Sequence, residues 1–349
     1  MTKTFFLVLL FSGLVASLGF TSCNDKNKTS ASTSDSLTSD SISALIPDTS
    51  IINSSALTDS GWNNAAESIR KESTLTIDST SKSNEKSLVK PKPTASSKVN
   101  PNKPKELLDG IEKAKNGDLR GAIADFDLCL KMNDKNYNAY FYKAKALIEL
   151  NEPQKAKDNL DQAIKFNSVN PVLFYYRGKL LFDEGKTDLA FADFDKAVSL
   201  NPEFPDALNY RGVTKEVQGK HTEAIEDYKA AIKISPEFST AYYNKGTSEA
   251  ALELYKDAIL SFSTCIEIDP KNTVGYMNRG NCYVMLKEYT SAVNDYTTAI
   301  SLNPKSANAY YNRGAAYQLA GNKNACNDWL KAQSLGDKRA GEMLKKYCN

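Results

Sequence analysis

The sequence predicts an all-α fold, a solenoid of stacked helix pairs, and three rows of residues predict it. Glycine recurs at Gly110, Gly178, Gly212, Gly246, Gly280 and Gly314 in steps of 34 residues or a multiple, and Ala144 fills the one vacant slot. Small residues keep the same step at Ala122, Ala156, Ala190, Ala224, Ala258 and Ala292, as do aromatic ones at Tyr140, Phe174, Tyr242, Tyr276 and Tyr310, with Leu208 in that row's gap. Prolines close the units at Pro202, Pro236, Pro270 and Pro304. A period of this length is one helix-turn-helix unit, which cannot bury its apolar face alone and stacks on its neighbours.

The chain divides before the repeats begin. Residues 1–22 run from Lys3 through an uncharged apolar stretch, Phe5 to Phe20, to the small residues before Cys23. That order of charged, apolar and small residues is a secretory signal, too short for a spanning helix of about 20 apolar residues. With cysteine at the cleavage point it resembles a bacterial lipoprotein signal, although Phe20 stands where leucine is usual; the resemblance implies acylation of Cys23 and anchoring on a membrane. The alternatives are an ordinary cleaved signal and an uncleaved anchor.

Residues 23–102 read as a lipidated N-terminus followed by a disordered tether. They are rich in serine, threonine, asparagine, aspartate and lysine, and Trp62 is their single aromatic residue, so they cannot recover their ordering entropy. A flexible coil of this length spans roughly 50 Å. Within it, the triplets at Ser36, Ser41 and Ser79 resemble an O-glycosylation sequon of Bacteroidetes, which implies a tether in the periplasm or beyond.

Formal net charge is +2, with acids and bases interspersed, so no basic face for nucleic acid is present.

In the unit from Phe174 to Pro202, a first helix carries Phe174, Tyr175, Gly178 and Leu181. A turn falls at Gly185, and a second helix carries Ala190, Phe194 and Ala197. The small residues mark close helix crossings and the aromatic ones fill the space between. This pattern resembles the tetratricopeptide repeat (TPR), and the resemblance covers seven units: 103–136, 137–170, 171–204, 205–238, 239–272, 273–306 and 307–338. It implies a right-handed superhelix. The first unit has Glu106 in the aromatic slot, as a water-facing cap should, and the last is one residue short in its turn. Residues 339–349 read as a closing amphipathic helix with Met343, Leu344 and Tyr347 turned inward.

A further regularity links the helices within a unit. Arg177, Arg211, Arg279 and Arg313 precede the glycine in units whose second helix holds Asp193, Asp227, Asp295 and Asp328, whereas Lys143 and Lys245 accompany Asn159 and Ser261. Co-varying positions predict contact, and the planar guanidinium matches a carboxylate in two bonds. An alternative pairing across units matches fewer cases.

In the family the first helices line a concave groove. The resemblance therefore implies a peptide-binding set at Phe141 and Lys145, Tyr175 and Lys179, Asn209 and Val213, Tyr243 and Thr247, Met277 and Asn281, and Tyr311 and Ala315. Aromatic anchors beside polar groups suit an extended peptide or a partner helix. The lysine and asparagine set of chaperone-tail binders is absent.

Besides Cys23 there are five cysteines. Cys129, Cys265 and Cys282 fall at helix crossings and read as buried small residues. Cys326 and Cys348 resemble the cysteine pair that ends related secreted repeat proteins, which implies a disulfide in an oxidising compartment; Cys265 with Cys282 is the other pairing. The single histidine, His221, begins a second helix, and neither a phosphate loop, a zinc-ligand spacing nor a catalytic dyad is visible. No catalytic residue, metal or cofactor is expected.

The expected protein is a non-catalytic interaction scaffold, lipid-anchored in a bacterial envelope, on the outer membrane facing the periplasm, recruiting one or more proteins or peptides. The alternatives are a protein that binds glycan or peptidoglycan fragments and an accessory regulator of an envelope enzyme.

Overall fold

The computed structural model describes residues 105–348. These residues form fifteen helices and no strand. Seven hairpins follow one another: α1 (Lys105–Lys115) with α2 (Leu119–Met132), α3 (Tyr137–Glu149) with α4 (Pro153–Phe166), and α5 (Pro171–Asp183) with α6 (Thr187–Leu200) come first. Then come α7 (Pro205–Val217) with α8 (His221–Ile234), α9 (Ser239–Ala251) with α10 (Tyr255–Ile268), α11 (Thr273–Met285) with α12 (Tyr289–Leu302), and α13 (Ala307–Leu319) with α14 (Ala325–Ser334). α15 (Lys338–Tyr347) closes the series. Each helix packs on the one before and the one after it, the stacking of a TPR solenoid. None of the described helices is long and apolar enough to cross a membrane.

Local chemistry sets the helix ends. Asn136, Asn170, Asn272 and Ser306 cap first helices by accepting a backbone N–H with the side chain, and Pro153, Pro171 and Pro205 stand where a missing N–H costs nothing. First helices stop on a left-handed residue. Gly185 (φ 74°) and Gly219 (φ 75°) serve in two units, while Asn151, Glu253 and Lys287 adopt the same conformation in three others at φ 57°, 60° and 62°.

The glycine row sets the hairpin crossing. A Cβ on Gly178 would lie 2.8 Å from Cε1 of Phe194, and one on Gly212 2.6 Å from Cε1 of Tyr228. Gly246 meets Phe262, Gly280 meets Tyr296 and Gly314 meets Trp329 in the same way. The vacant slot in unit two follows the same logic: Ala144 shares its buried cluster with Leu160, which replaces the ring, so a methyl group fits.

The arginine row joins three helices, one more than the sequence predicts. Arg177 donates from Nε to Asp193 Oδ2 at 2.8 Å and from Nη2 to Oδ1 at 2.7 Å, and Arg211 holds Asp227, Arg279 holds Asp295 and Arg313 holds Asp328 likewise. In each case Nη1 also reaches back to the second helix of the preceding unit, to Asp161, Asp195, Ser263 Oγ or Thr297 Oγ1. Where lysine stands instead, the clamp is partial. Lys245 donates to Ser261 Oγ at 2.8 Å and to Glu249 at 2.6 Å, both in its own unit. Lys143 turns to Asp127 of the preceding unit at 2.6 Å and not to Asn159, whose amide donates instead to the Lys155 carbonyl at 2.7 Å. A cavity of about 310 Å³ opens beside it, lined by Arg120, Lys143, Glu152, Lys155 and Asn159 among others.

Candidate functional site: the first-helix face

First helices lie side by side with their neighbours, and this places the predicted groove residues unevenly. Phe141, Lys179, Tyr243, Thr247 and Met277 are half-buried on this face. Five others are buried, a correction to the expected set: Tyr311 is 1% exposed, Asn209 4%, Lys145 6%, Asn281 8% and Tyr175 9%. Val213 and Ala315 are buried as well.

Packing against neighbouring first helices, second helices and the closing helix buries four of them. Tyr175 sits among Tyr176, Phe194, Phe204 and Tyr210, at centroid distances of 5.4, 6.2, 5.0 and 5.7 Å. Asn209 Oδ1 accepts from Asn244 Nδ2 at 3.0 Å. Asn281 Oδ1 accepts from the Tyr296 hydroxyl at 2.7 Å and from Asn312 Nδ2 at 3.2 Å. Tyr311 lies beneath Arg339 of α15, whose guanidinium carbon is 4.2 Å from the ring centroid.

The row one residue further on was missed, and it carries much of the face's chemistry. Tyr142, Tyr176, Tyr210, Asn244, Asn278 and Asn312 recur every 34 residues, so the period itself could have found it. Tyr176, Tyr210, Asn244 and Asn278 are half-buried. The face therefore changes character along its length. From unit two to unit four it is aromatic: Phe141 meets Tyr176 edge-on at 5.3 Å, and Tyr210 stacks on Phe194 at 5.3 Å. Lysine ammoniums lie over these rings, Lys145 at 5.8 Å from Tyr176 and Lys179 at 5.4 Å from both Tyr175 and Tyr210. Burial pushes the Tyr210 hydroxyl up to about 12, with Asp183 and Asp206 adding to the shift, so it stays neutral. From unit five onward the row is amide: Asn244 donates to Asn209, Asn278 to the Tyr243 hydroxyl at 3.1 Å and Asn312 to Asn281.

Nothing on this face resembles a reacting centre. Among the described residues no group of three or more His, Cys, Asp or Glu side chains is placed to hold a metal ion. His221 is the first residue of α8. Cys326 and Cys348 form a disulfide, while Cys129, Cys265 and Cys282 are free, buried thiols. Cys23, Ser36, Ser41 and Ser79 lie outside the described residues.

A stack of helix hairpins presenting rings and amides along one face defines a repeat protein of the interaction type. Its repeats are tetratricopeptide repeats: residues 217–248 and 280–321 match a TPR repeat model, and 173–204 and 239–272 match a tetratricopeptide repeat model. No curated protein matches the chain. Among solved structures it is similar to a tetratricopeptide repeat protein from Parabacteroides merdae, with 22% identity and a TM-score of 0.52 over 70% of this chain and 98% of that one. It is also similar to the C-terminal part of a TPR protein from Cytophaga hutchinsonii, with 20% identity and a TM-score of 0.55 over 68% of this chain and 98% of that one. MamA aligns over 46% of this chain and 95% of its own at 26% identity, with a TM-score of 0.43. These likenesses concern the fold.

Proposed function

We propose that the protein is a non-catalytic scaffold, tethered in a bacterial envelope through acylated Cys23, that recruits partner proteins through its first-helix face. The observation that carries the recruiting role is the half-exposed aromatic stretch of Phe141, Tyr176 and Tyr210 with Lys145 and Lys179 over its rings. Rings already fixed against one another lose little entropy on binding and present apolar area with a polar rim, the composition of interaction hot spots. The presence of tetratricopeptide repeats supports the same role. The tether and envelope location rest on the apolar leader, the cysteine at its end and the serine-rich segment that follows.

The test is in-cell crosslinking and capture of the tagged full chain beside a Tyr176→Ala/Tyr210→Ala variant, with eluates identified by mass spectrometry. The reading expects a partner held by wild type and lost by the variant. The same partners in both, or none in either, would overturn it; binding of muropeptides by calorimetry in the latter case would identify a glycan-binding protein. Mass analysis of the mature N-terminus tests the tether, which expects a diacyl or triacyl cysteine at Cys23.

A further inference from the structure

The closing helix is held to the solenoid by little of its own. Of its ten residues only Ala340 is buried, and Met343, Leu344 and Tyr347 rest half-buried against the cluster of Tyr311, Trp329 and Ala332. A ten-residue helix has no stability of its own in water. Two features keep it in place. One is the disulfide from Cys348, just past its end, to Cys326 in α14, across a sequence separation of 22. The other is Arg339, which stacks on Tyr311 and donates to Asn308 Oδ1 while paired with Asp337.

Arg339 occupies a seat that belongs to the first-helix face. Tyr311 is the counterpart, in the last unit, of Phe141, Tyr175 and Tyr243, and Asn308 lies one helical turn before it. A ring below and an amide oxygen at the side form a receptor for a guanidinium, combining cation–π attraction with a directed hydrogen bond. One turn beyond Asn308 on the same helix, Asn312 Oδ1 is buried without a hydrogen-bond partner. α15 thus acts as an internal ligand.

We propose that the Cys326–Cys348 disulfide gates this seat: while it is intact α15 holds Arg339 on Tyr311, and its reduction frees α15 and opens Tyr311 and Asn308 to an arginine-bearing segment of a partner. The proposal rests on the reading that this face binds partners. The reductant is a dithiol. It attacks one sulfur of the bond, passes through a mixed disulfide and leaves as its own cyclic disulfide, so two electrons and two protons convert Cys326 and Cys348 to thiols. Removing a link across 22 residues restores chain entropy that shifts opening of the segment on the order of 100-fold.

Hydrogen exchange on the full chain, with and without dithiothreitol and in Cys326→Ser, tests the release. Amides of residues 338–347 should exchange on the order of 100-fold faster in both reduced forms, with α3 to α10 unchanged. Binding of a hexa-arginine peptide, with hexa-lysine as control, tests the seat: affinity should rise about tenfold on reduction, and the rise should vanish in Asn308→Ala. Unchanged exchange in α15, or faster exchange with no gain for hexa-arginine over hexa-lysine, would overturn the proposal. The Tyr176 and Tyr210 capture is read on the oxidised protein. Its failure alongside a reduction-dependent gain would remove the recruiting role and leave the gated seat standing.

Discussion

Gly178 lies so close to Phe194 that a methyl group on it would come 2.8 Å from ring carbon Cε1, inside any real contact distance. The pair sets how closely the two helices of the unit cross, and five other units repeat it with Phe126, Tyr228, Phe262, Tyr296 or Trp329 as the ring. Gly178→Ala should therefore destabilise by about 1–3 kcal/mol through overpacking. Unit two supplies the control, since Ala144 faces the smaller Leu160. Gly178→Ala/Phe194→Leu should recover part of the loss, giving a favourable coupling in a thermal or urea double-mutant cycle. Additive losses would show that the ring is not what excludes the methyl.

The arginine clamp predicts two unequal carboxylates. Arg177 reaches both Asp193, whose side chain is 8% exposed, and Asp161, whose side chain is 48% exposed. Removing the buried partner takes away both arms of the bidentate pair and leaves Arg177, itself a quarter exposed, with Asp161 alone, so Asp193→Ala should cost about 1.5–3 kcal/mol. Asp161→Ala removes a solvated partner and should cost under about 1 kcal/mol, shrinking further in high salt. Equal losses in chemical denaturation would refute the ranking.

How much of this was legible follows from what a period can encode. The hairpin boundaries were legible because glycine, alanine and proline each have one steric reason to recur, and the Arg–Asp contact because Arg177 with Asp193 and Lys245 with Ser261 change together. The second arm of the clamp was not, since Asp161, Asp195, Ser263 and Thr297 share no residue type, only an accepting oxygen. The exposure of the groove set depended on neighbours that a single unit does not contain. Tyr311 is buried because Arg339 of the closing helix lies on it, and Asn281 because Asn312 and Tyr296 converge there.

The free cysteines should be chemically silent. Burial pushes the thiols of Cys129 up to about 11 and those of Cys265 and Cys282 up to about 12, so at pH 8 almost no thiolate exists to react. Iodoacetamide should leave all three unmodified in the native protein and alkylate them once urea unfolds it, as read by peptide mass spectrometry. With the disulfide intact, Cys326 and Cys348 should stay unmodified in both. Alkylation of Cys282 under native conditions would mean that the crossing of α11 opens on the timescale of the reaction.

Glu216 gives the fold a pH dependence of defined sign. Its carboxylate accepts the Tyr228 hydroxyl at 2.8 Å, which favours the charged form, yet burial outweighs that bond and raises the carboxyl above its ordinary value. A group that binds its proton more tightly when folded stabilises the fold while protonated, below its unfolded value of about 4.3, and that contribution is lost as pH rises through the folded value. At pH 7 the buried charge is therefore a cost. Glu216→Gln keeps an oxygen for Tyr228 and removes the charge, so the variant should melt above wild type at pH 7. The gap should close as pH falls toward about 4, where wild type becomes neutral too. A gap that is constant with pH would show that folding does not shift the Glu216 carboxyl, and a variant that melts lower at pH 7 would show that the Tyr228 bond to the charged form outweighs burial.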